Sequence, residues 1–433
     1  MKPKQALRDI SVERLIPGMY VVKLDIPWMQ SPFMSNKVKI KSEREIALLK
    51  KSGAKVATID LSKSTITKQG ASALSKTAQA AANANTSPKK PENKTAPATD
   101  DKKSDANKNA EAQEKRRNEF KRSLTAAINL RAQAKKAIIS LQNDLKIGKS
   151  VSPKVMAPLL SDTLDCLEKN NQALLNLAHV SSRSQKIADH VFSVFCVSLN
   201  LALQQKMDAK DIEALGIAAL LHEAGWVQMP LQLMGKRKPY SAMELKLIHR
   251  HPQIGVDSLK MSALPSLSMR IISEHHELCD GSGYPKKLKM EAIHPLSRLL
   301  AVADIYDEKV HQLIDRPGML PANALRDLYR LAKKGAYDES WVARLITLLG
   351  VYPISTAVKL NTDEKGIVRE VAADNHLHPV VDIIYGRDGR LLNKVKNIDL
   401  AQPTSDTEAT HIVEVLDPNN PKHDPKRRLI LDI

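Results

Sequence analysis

A chain of 433 residues carrying 66 Lys and Arg against 48 Asp and Glu has a formal charge of +18, and its length suits two or three domains rather than one core. Three cysteines, Cys166, Cys196 and Cys279, lie far apart without CxxC spacing, which excludes a zinc knuckle or a disulfide framework and fits a reducing cytoplasm. No run approaches the ~20 apolar residues that span a bilayer, so no membrane insertion is expected. Lys and Arg crowd into Lys89 to Arg122 and Lys422 to Arg428, which read as solvated segments whose charge serves solubility.

From Ile10 to Asp60 the pattern suits a small α+β module, residues 1–62, in which Met19 to Leu24 and Lys55 to Ile59 read as strands and Ser42 to Lys51 as a helix. Turn signals at Pro17-Gly18 and Ser52-Gly53 separate them. Residues 63–113 turn to Ala, Ser, Thr, Lys, Asn and Pro, and no aromatic residue occurs between Phe33 and Phe120. Such a stretch buries too little apolar surface to offset its ordering entropy, so a disordered linker is expected. A helical lead-in over residues 114–180 follows, with Phe120, Leu124, Ile128 and Leu130 at roughly helical spacing. Within residues 181–350, helices are expected over Ser184 to Gln204, Asp211 to Ala224, Ser241 to Leu259, Ser266 to Glu277, Ile293 to His311 and Pro321 to Leu349. Short β-like runs at Ala357 to Leu360, Ile367 to Val371, Val380 to Tyr385 and Thr410 to Leu416 make a β-rich appendage over residues 351–433. The expected class is mainly α, a helical bundle with a small β-containing piece at each end.

A subset of the histidines falls at the ends or inner faces of these helices: His190, His222, His251 and the pair His275-His276, joined by Glu223 and Asp304. Imidazole and carboxylate together suit first-row metals such as Mn, Fe and Zn, and a bundle can project them inward from several helices. His179, His249, His311 and His376 lack this shared context and read as capping or core residues. Asp304 lies in an otherwise apolar helix with Leu299, Leu300, Val302 and Ile305, where a carboxylate is costly unless paired or ligating. Asp307 is one turn further on, placed to act from behind the ligands.

The run His275-His276-Glu277-Leu278-Cys279-Asp280-Gly281-Ser282-Gly283-Tyr284-Pro285 resembles the HHExxDGxGYP signature of the HD-GYP family. Leu220-Leu221-His222 at the HD position, Met229-Pro230, His251-Pro252 followed by Gly255, and Ala301-Val302-Ala303-Asp304-Ile305-Tyr306-Asp307 recur in the family's order, with Arg316-Pro317 after them. The similarity covers about Leu164 to Val371, and Ile10 to Leu61 is similar to a small module that often precedes such domains. The resemblance implies a helical HD domain in which His190, His222, Glu223, His251, His275, His276 and Asp304 hold two divalent metal ions, Fe or Mn foremost. Two close cations can hold the phosphate oxygens and lower the pKa of bound water. It assigns Glu223, Asp304 and Asp307 to the chemistry, and Lys236, Asp280, Gly281, Gly283, Tyr284, Pro285 and Arg298 to the substrate. Arg250, Lys286 and Lys287 could attract a substrate with two phosphates, or simply face solvent. Tyr284 could stack on a guanine base or pack its loop onto the helices. The implied partner is cyclic di-GMP, with diguanylate cyclase-type proteins reached through the GYP loop, and a homodimer is compatible with it.

The chain departs from the family where HDxGK reads His222-Glu223-Ala224-Gly225-Trp226. Glu223 keeps a carboxylate but displaces it by about an ångström, against a tolerance of ~0.2 Å for ligand distances. Trp226 replaces a lysine expected to meet the scissile phosphate, and a neutral indole cannot offset charge developing there. Lys186 stands where some members carry a glutamate for a third metal, so two metals at most are expected. Two readings follow: a phosphodiesterase that opens cyclic di-GMP to pGpG or GMP, and a receptor that binds metal and dinucleotide without turnover. The basic linker lacks interleaved aromatics, so nucleic acid is not an expected partner.

Overall fold

The computed structural model describes residues 7–26, 31, 38–65, 101–181, 187–234, 239–310, 318–371, 378–402, 410–417 and 420. The expectations placed on residues 66–100, Lys186, Lys236, His311, Arg316-Pro317, His376 and the tail Lys422 to Arg428 lie outside these residues, as does the side chain of His179. Residues 1–119 and 120–433 form two units.

The first unit holds strands β1 (Leu7–Ser11), β2 (Tyr20–Leu24), β3 (Val38–Lys39) and β4 (Val56–Asp60), with helix α1 (Glu43–Lys51) between β3 and β4. The strands pair antiparallel in the order β1-β4-β2-β3. Val21, Ala57 and Ile59 share one core with Ile46 and Leu49 of α1, as the period-two and period-3.6 patterns require. Strands β1 and β3 had no clear sequence signal, because β1 is mostly exposed and β3 is two residues long.

Helix α2 (Asp101–Lys146) begins inside the stretch expected to be linker. Low aromatic content argues against a buried core, but residues 101–146 contain no Gly or Pro and are rich in Ala and Lys, which favours helix by propensity alone. From Leu124 onward a buried stripe of Leu124, Ala127, Leu130, Ala134, Ile138, Leu141 and Leu145 repeats at helical spacing. Helix α3 (Pro153–Ser181) is kinked at Asn170, whose side-chain oxygen accepts the Ala173 N–H at 3.2 Å and caps the turn that follows. Helix α4 (Ile187–Gln204) is long and apolar enough to cross a membrane by composition, yet 83% of it is buried within the bundle, so it is a core helix. Arg131 and Lys135 of α2 reach the buried Asp189 of α4 at 3.0 and 2.8 Å.

After α4 come α5 (Ala209–Leu221), α6 (Leu231–Met234), α7 (Ala242–Ile248), α8 (His251–Leu259), α9 (Ser266–Glu274), α10 (Pro295–Val310), α11 (Pro321–Lys333) and α12 (Glu339–Leu349), of which α5, α10 and α12 pack against α4. The helix expected over Asp211 to Ala224 gives way at His222 to a 3₁₀ segment, His222–Gln228. The helices expected over Ser241 to Leu259 and Pro321 to Leu349 are each two. Pro252 cannot donate back into a preceding turn, so α8 restarts at His251. Gly335 takes φ +86° and Asp338 caps α12 through Ser340 and Trp341. Strands β5 (Ala357–Leu360), β6 (Lys365–Glu370), β7 (Val380–Tyr385), β8 (Leu391–Asp399) and β9 (Ile412–Val415) then form an antiparallel sheet in the order β8-β7-β6-β5-β9. The class is therefore mainly α, a helical bundle with small sheets toward both ends of the chain.

One close approach positions everything that follows. A Cβ on Gly225 would lie 1.9 Å from the His251 carbonyl oxygen, and one on Gly255 would lie 3.0 Å from the Gly225 nitrogen. The 3₁₀ segment thus rests backbone on backbone against α8. Gly225→Ala is expected to destabilise the chain by roughly 1–3 kcal/mol through overpacking, read as a lowered urea midpoint with an unchanged m-value.

Candidate metal centre

His190 comes from the first turn of α4, His222 from the end of α5, Glu223 from the 3₁₀ segment, His251 from the start of α8, His275 and His276 from the end of α9, and Asp304 from mid-α10. The Nδ1 atoms of His222, His251 and His275 face the carbonyl oxygens of Ala219, Ile248 and Ile272 at 2.9, 2.8 and 2.6 Å. A carbonyl only accepts, so each Nδ1 carries the proton and each Nε2 is turned inward as a bare donor atom. His190 Nδ1 is held by Asp307 Oδ2 at 2.7 Å.

The inward nitrogens then face one another: His190 Nε2 and His222 Nε2 are 3.3 Å apart, and His251 Nε2 and His275 Nε2 are 3.2 Å apart. Burial, reinforced by the neighbouring imidazoles, holds His251 and His275 well below the usual histidine range, and burial pushes His276 down to about 4. His251 and His275 are therefore neutral, with two lone pairs directed at the same point. Burial opposes charge on His190, but its bonds to Asp304 and Asp307 outweigh that and raise its pKa well above the usual value. Asp304 is driven the other way: burial opposes ionisation, and the His190 and His222 side chains more than offset it. Burial pushes Glu223 up to about 8, against the pull of His190 and with the push of Asp304.

The donor atoms of His190, His222 and Asp304 lie within 4.8 Å of one another, as do those of His251, His275 and His276. Both carboxylates stand between the triads. Glu223 Oε1 is 3.7 Å from His190 Nε2 and Oε2 is 3.6 Å from His251 Nε2. Asp304 Oδ1 is 3.1 Å from His190 Nε2 and Oδ2 is 3.6 Å from His276 Nδ1. The extra methylene of Glu223 thus leaves one oxygen facing each triad. Its buried Oε2 has no hydrogen-bond partner among the described residues. Neutral imidazoles converging on a partnerless carboxylate oxygen suit a divalent cation, so the residues fit the group that the HD pattern implies.

The loop after α9 is pinned to the centre. Glu277, buried, accepts the backbone N–H groups of Lys286 and Leu288 at 2.6 and 2.9 Å. A Cβ on Gly283 would meet the Leu278 nitrogen at 2.2 Å, which restricts that position to glycine. Asp280 accepts the N–H and hydroxyl of Ser282, and with Gly281 it turns the loop; Pro285 follows Tyr284 at its exit. These residues build the loop, and of them Tyr284 reaches the donors, its ring 4.8 Å from that of His276. Arg298, expected beside the substrate, instead binds Asp338 at 2.8 Å and Met290 Sδ at 2.9 Å, bracing the start of α12. Arg250, Lys286 and Lys287 are exposed. Trp226 packs with Met229, Leu233 and Ile248, its ring 5.4 Å from that of His251. Sequence reasoning missed three residues here. Glu277 stood inside the quoted signature without a role. Buried Glu274, which accepts from Arg270, His294 and Ser297, joins α9 to α10. His249 stacks on Tyr284, a contact with no local signal.

Three family models match along the chain: a domain of unknown function (DUF3391) over residues 7–155, an HD domain over residues 154–341 and a KOW domain associated with HD domain over residues 357–423. A cyclic di-GMP phosphodiesterase of Pseudomonas aeruginosa is 27% identical over 275 residues, 63% of this chain and 66% of that protein. A 3'3'-cGAMP-specific phosphodiesterase of Vibrio cholerae is 31% identical over 147 residues, 33% of this chain and 28% of that protein. The chain thus matches less than two thirds of either relative's own length. Among solved structures, an HDG"Y"P protein from Bdellovibrio bacteriovorus covers 79% of this chain and 99% of its own at 17% identity and a TM-score of 0.43. The HD domain match falls on the residues that carry both donor triads and the HHExxDGxGYP run, so residues 154–341 form an HD domain that bears the HD-GYP signature.

Proposed function

We propose that the helical domain hydrolyses a cyclic dinucleotide, cyclic di-GMP foremost, at a centre of two divalent cations, opening it to pGpG or GMP. The observation that carries this reading is the pair of histidine-containing triads with Glu223 and Asp304 between them. Burying these side chains weakens a bundle unless they ligate. The names of the relatives, cyclic di-GMP and 3'3'-cGAMP phosphodiesterases, support the substrate class. Fe or Mn suits the imidazole and carboxylate donors, and such cations would supply charge neutralisation at the phosphate and a water acidic enough to attack near neutral pH.

The chain's own residues orient and admit the substrate. His190 and His276 side chains are 10% and 15% exposed, against 2% or less for His222, His251 and Asp304, so the phosphate enters from their side. Asp307 fixes the His190 ring from behind, and the pinned loop holds Tyr284 at the same opening. Trp226 favours the second reading, a receptor that binds without turnover, because a neutral indole stands where a cation would stabilise the transition state.

The Mn(II)- or Fe(II)-loaded chain is expected to convert cyclic di-GMP, followed by chromatography, and His275→Ala to abolish conversion. Bound metal and nucleotide without conversion would overturn the enzymatic reading in favour of the receptor. Asp307→Asn is expected to weaken metal affinity by roughly ten- to hundredfold, measured by chelator competition, because the His190 ring loses its orienting carboxylate. Trp226→Lys is expected to raise turnover by roughly tenfold, part of what one well-placed donor contributes; an unchanged rate would show that position 226 does not face the phosphate.

A further inference from the structure

The donors described above account for a phosphate, and a dinucleotide also carries two bases. His249 caps the C-terminus of α7, its backbone N–H bonded to Leu245 O at 2.8 Å, and its side chain is exposed. Its ring stacks on Tyr284 with centroids 4.1 Å apart and planes inclined by 11°. Tyr284 also lies against His276, centroids 4.8 Å apart at 35°. The Tyr284 N–H donates to His276 O at 3.0 Å, so both rings of the stack are anchored through the main chain. Across two residues the chain changes face: His251 points into the centre, 1% exposed, and His249 points out.

We propose that His249 is the purine platform of the centre, the ring on whose outer face a base of the cyclic dinucleotide stacks while its phosphate lies beside His276. Tyr284 is the backing of that platform rather than the ring that meets the base, because His249 already occupies its face. An anchored flat π surface at the mouth of a phosphate site binds bases by stacking. The proposal rests on the cyclic-dinucleotide reading and deepens it by naming the residue that meets the base.

The test uses the full, metal-loaded chain and a hydrolysis-resistant phosphorothioate analogue of cyclic di-GMP, with binding measured by calorimetry. His249→Ala is expected to weaken binding by roughly ten- to hundredfold, while His249→Phe, which keeps a flat ring, stays within a few-fold of the parent. Affinity for inorganic phosphate, bound metal and melting temperature should be the same in all three chains. Unchanged binding by His249→Ala, equal losses in both variants, or a parallel loss of metal or phosphate would overturn the platform. A parent chain that binds metal and phosphate but no cyclic dinucleotide would overturn both the platform and the substrate reading, whereas tight parental binding with an unaffected alanine variant overturns the platform alone.

Discussion

The bond on which the centre depends is the one from a histidine Nδ1–H to a carbonyl in the last turn of a helix. His222, His251 and His275 each make it, to Ala219 of α5, Ile248 of α7 and Ile272 of α9. The last carbonyls of a helix have no intrahelical N–H partner, so a histidine placed just past the end finds an acceptor three residues back. That single bond satisfies an orphan group, fixes the tautomer and aims the other nitrogen inward. It also brings the negative ends of three helices toward the place where the lone pairs meet, an arrangement that favours positive charge.

Such a cluster opposes folding on its own. Facing lone pairs at 3.2 Å and a partnerless carboxylate oxygen persist because the surrounding backbone determines where they lie. The contact of Gly225 with the His251 carbonyl, the carboxylate of Glu274 joining α9 to α10, and Asp307 behind His190 each hold one ligand-bearing element against another. The substitution of glutamate in the HD pair is absorbed within this frame, since Glu223 still presents one oxygen to each triad. The exchange at position 226 is of another kind: Trp226 joins an apolar cluster beside His251 and brings no charge there.

The donor set was legible because histidines at fixed motif spacings are chemically conspicuous, and helix type was legible from apolar periodicity. The breaks that place the donors at helix ends were not: periodicity runs on through Ser241 to Leu259, and Pro252 interrupts it by removing one N–H. The start of α2 was hidden because composition was weighed for core burial, while its residues favour helix by propensity. Strand β8 is largely exposed and carries little apolar signal. Arg298 lies close to the loop in sequence, but the direction of α10 turns it to Asp338. The stack of His249 on Tyr284 arises from two segments far apart in the chain, and only tertiary structure joins them.

The loop from His275 to Leu288 has its own consequence. Glu277 takes two backbone donors from the far side, Asp280 closes the turn, and Gly283 lies flush on the backbone of Leu278. A segment tied at so many points has already surrendered its conformational entropy when the chain folds. A molecule that docks on it orders little that was not ordered before, and more of the contact energy is left to appear as affinity.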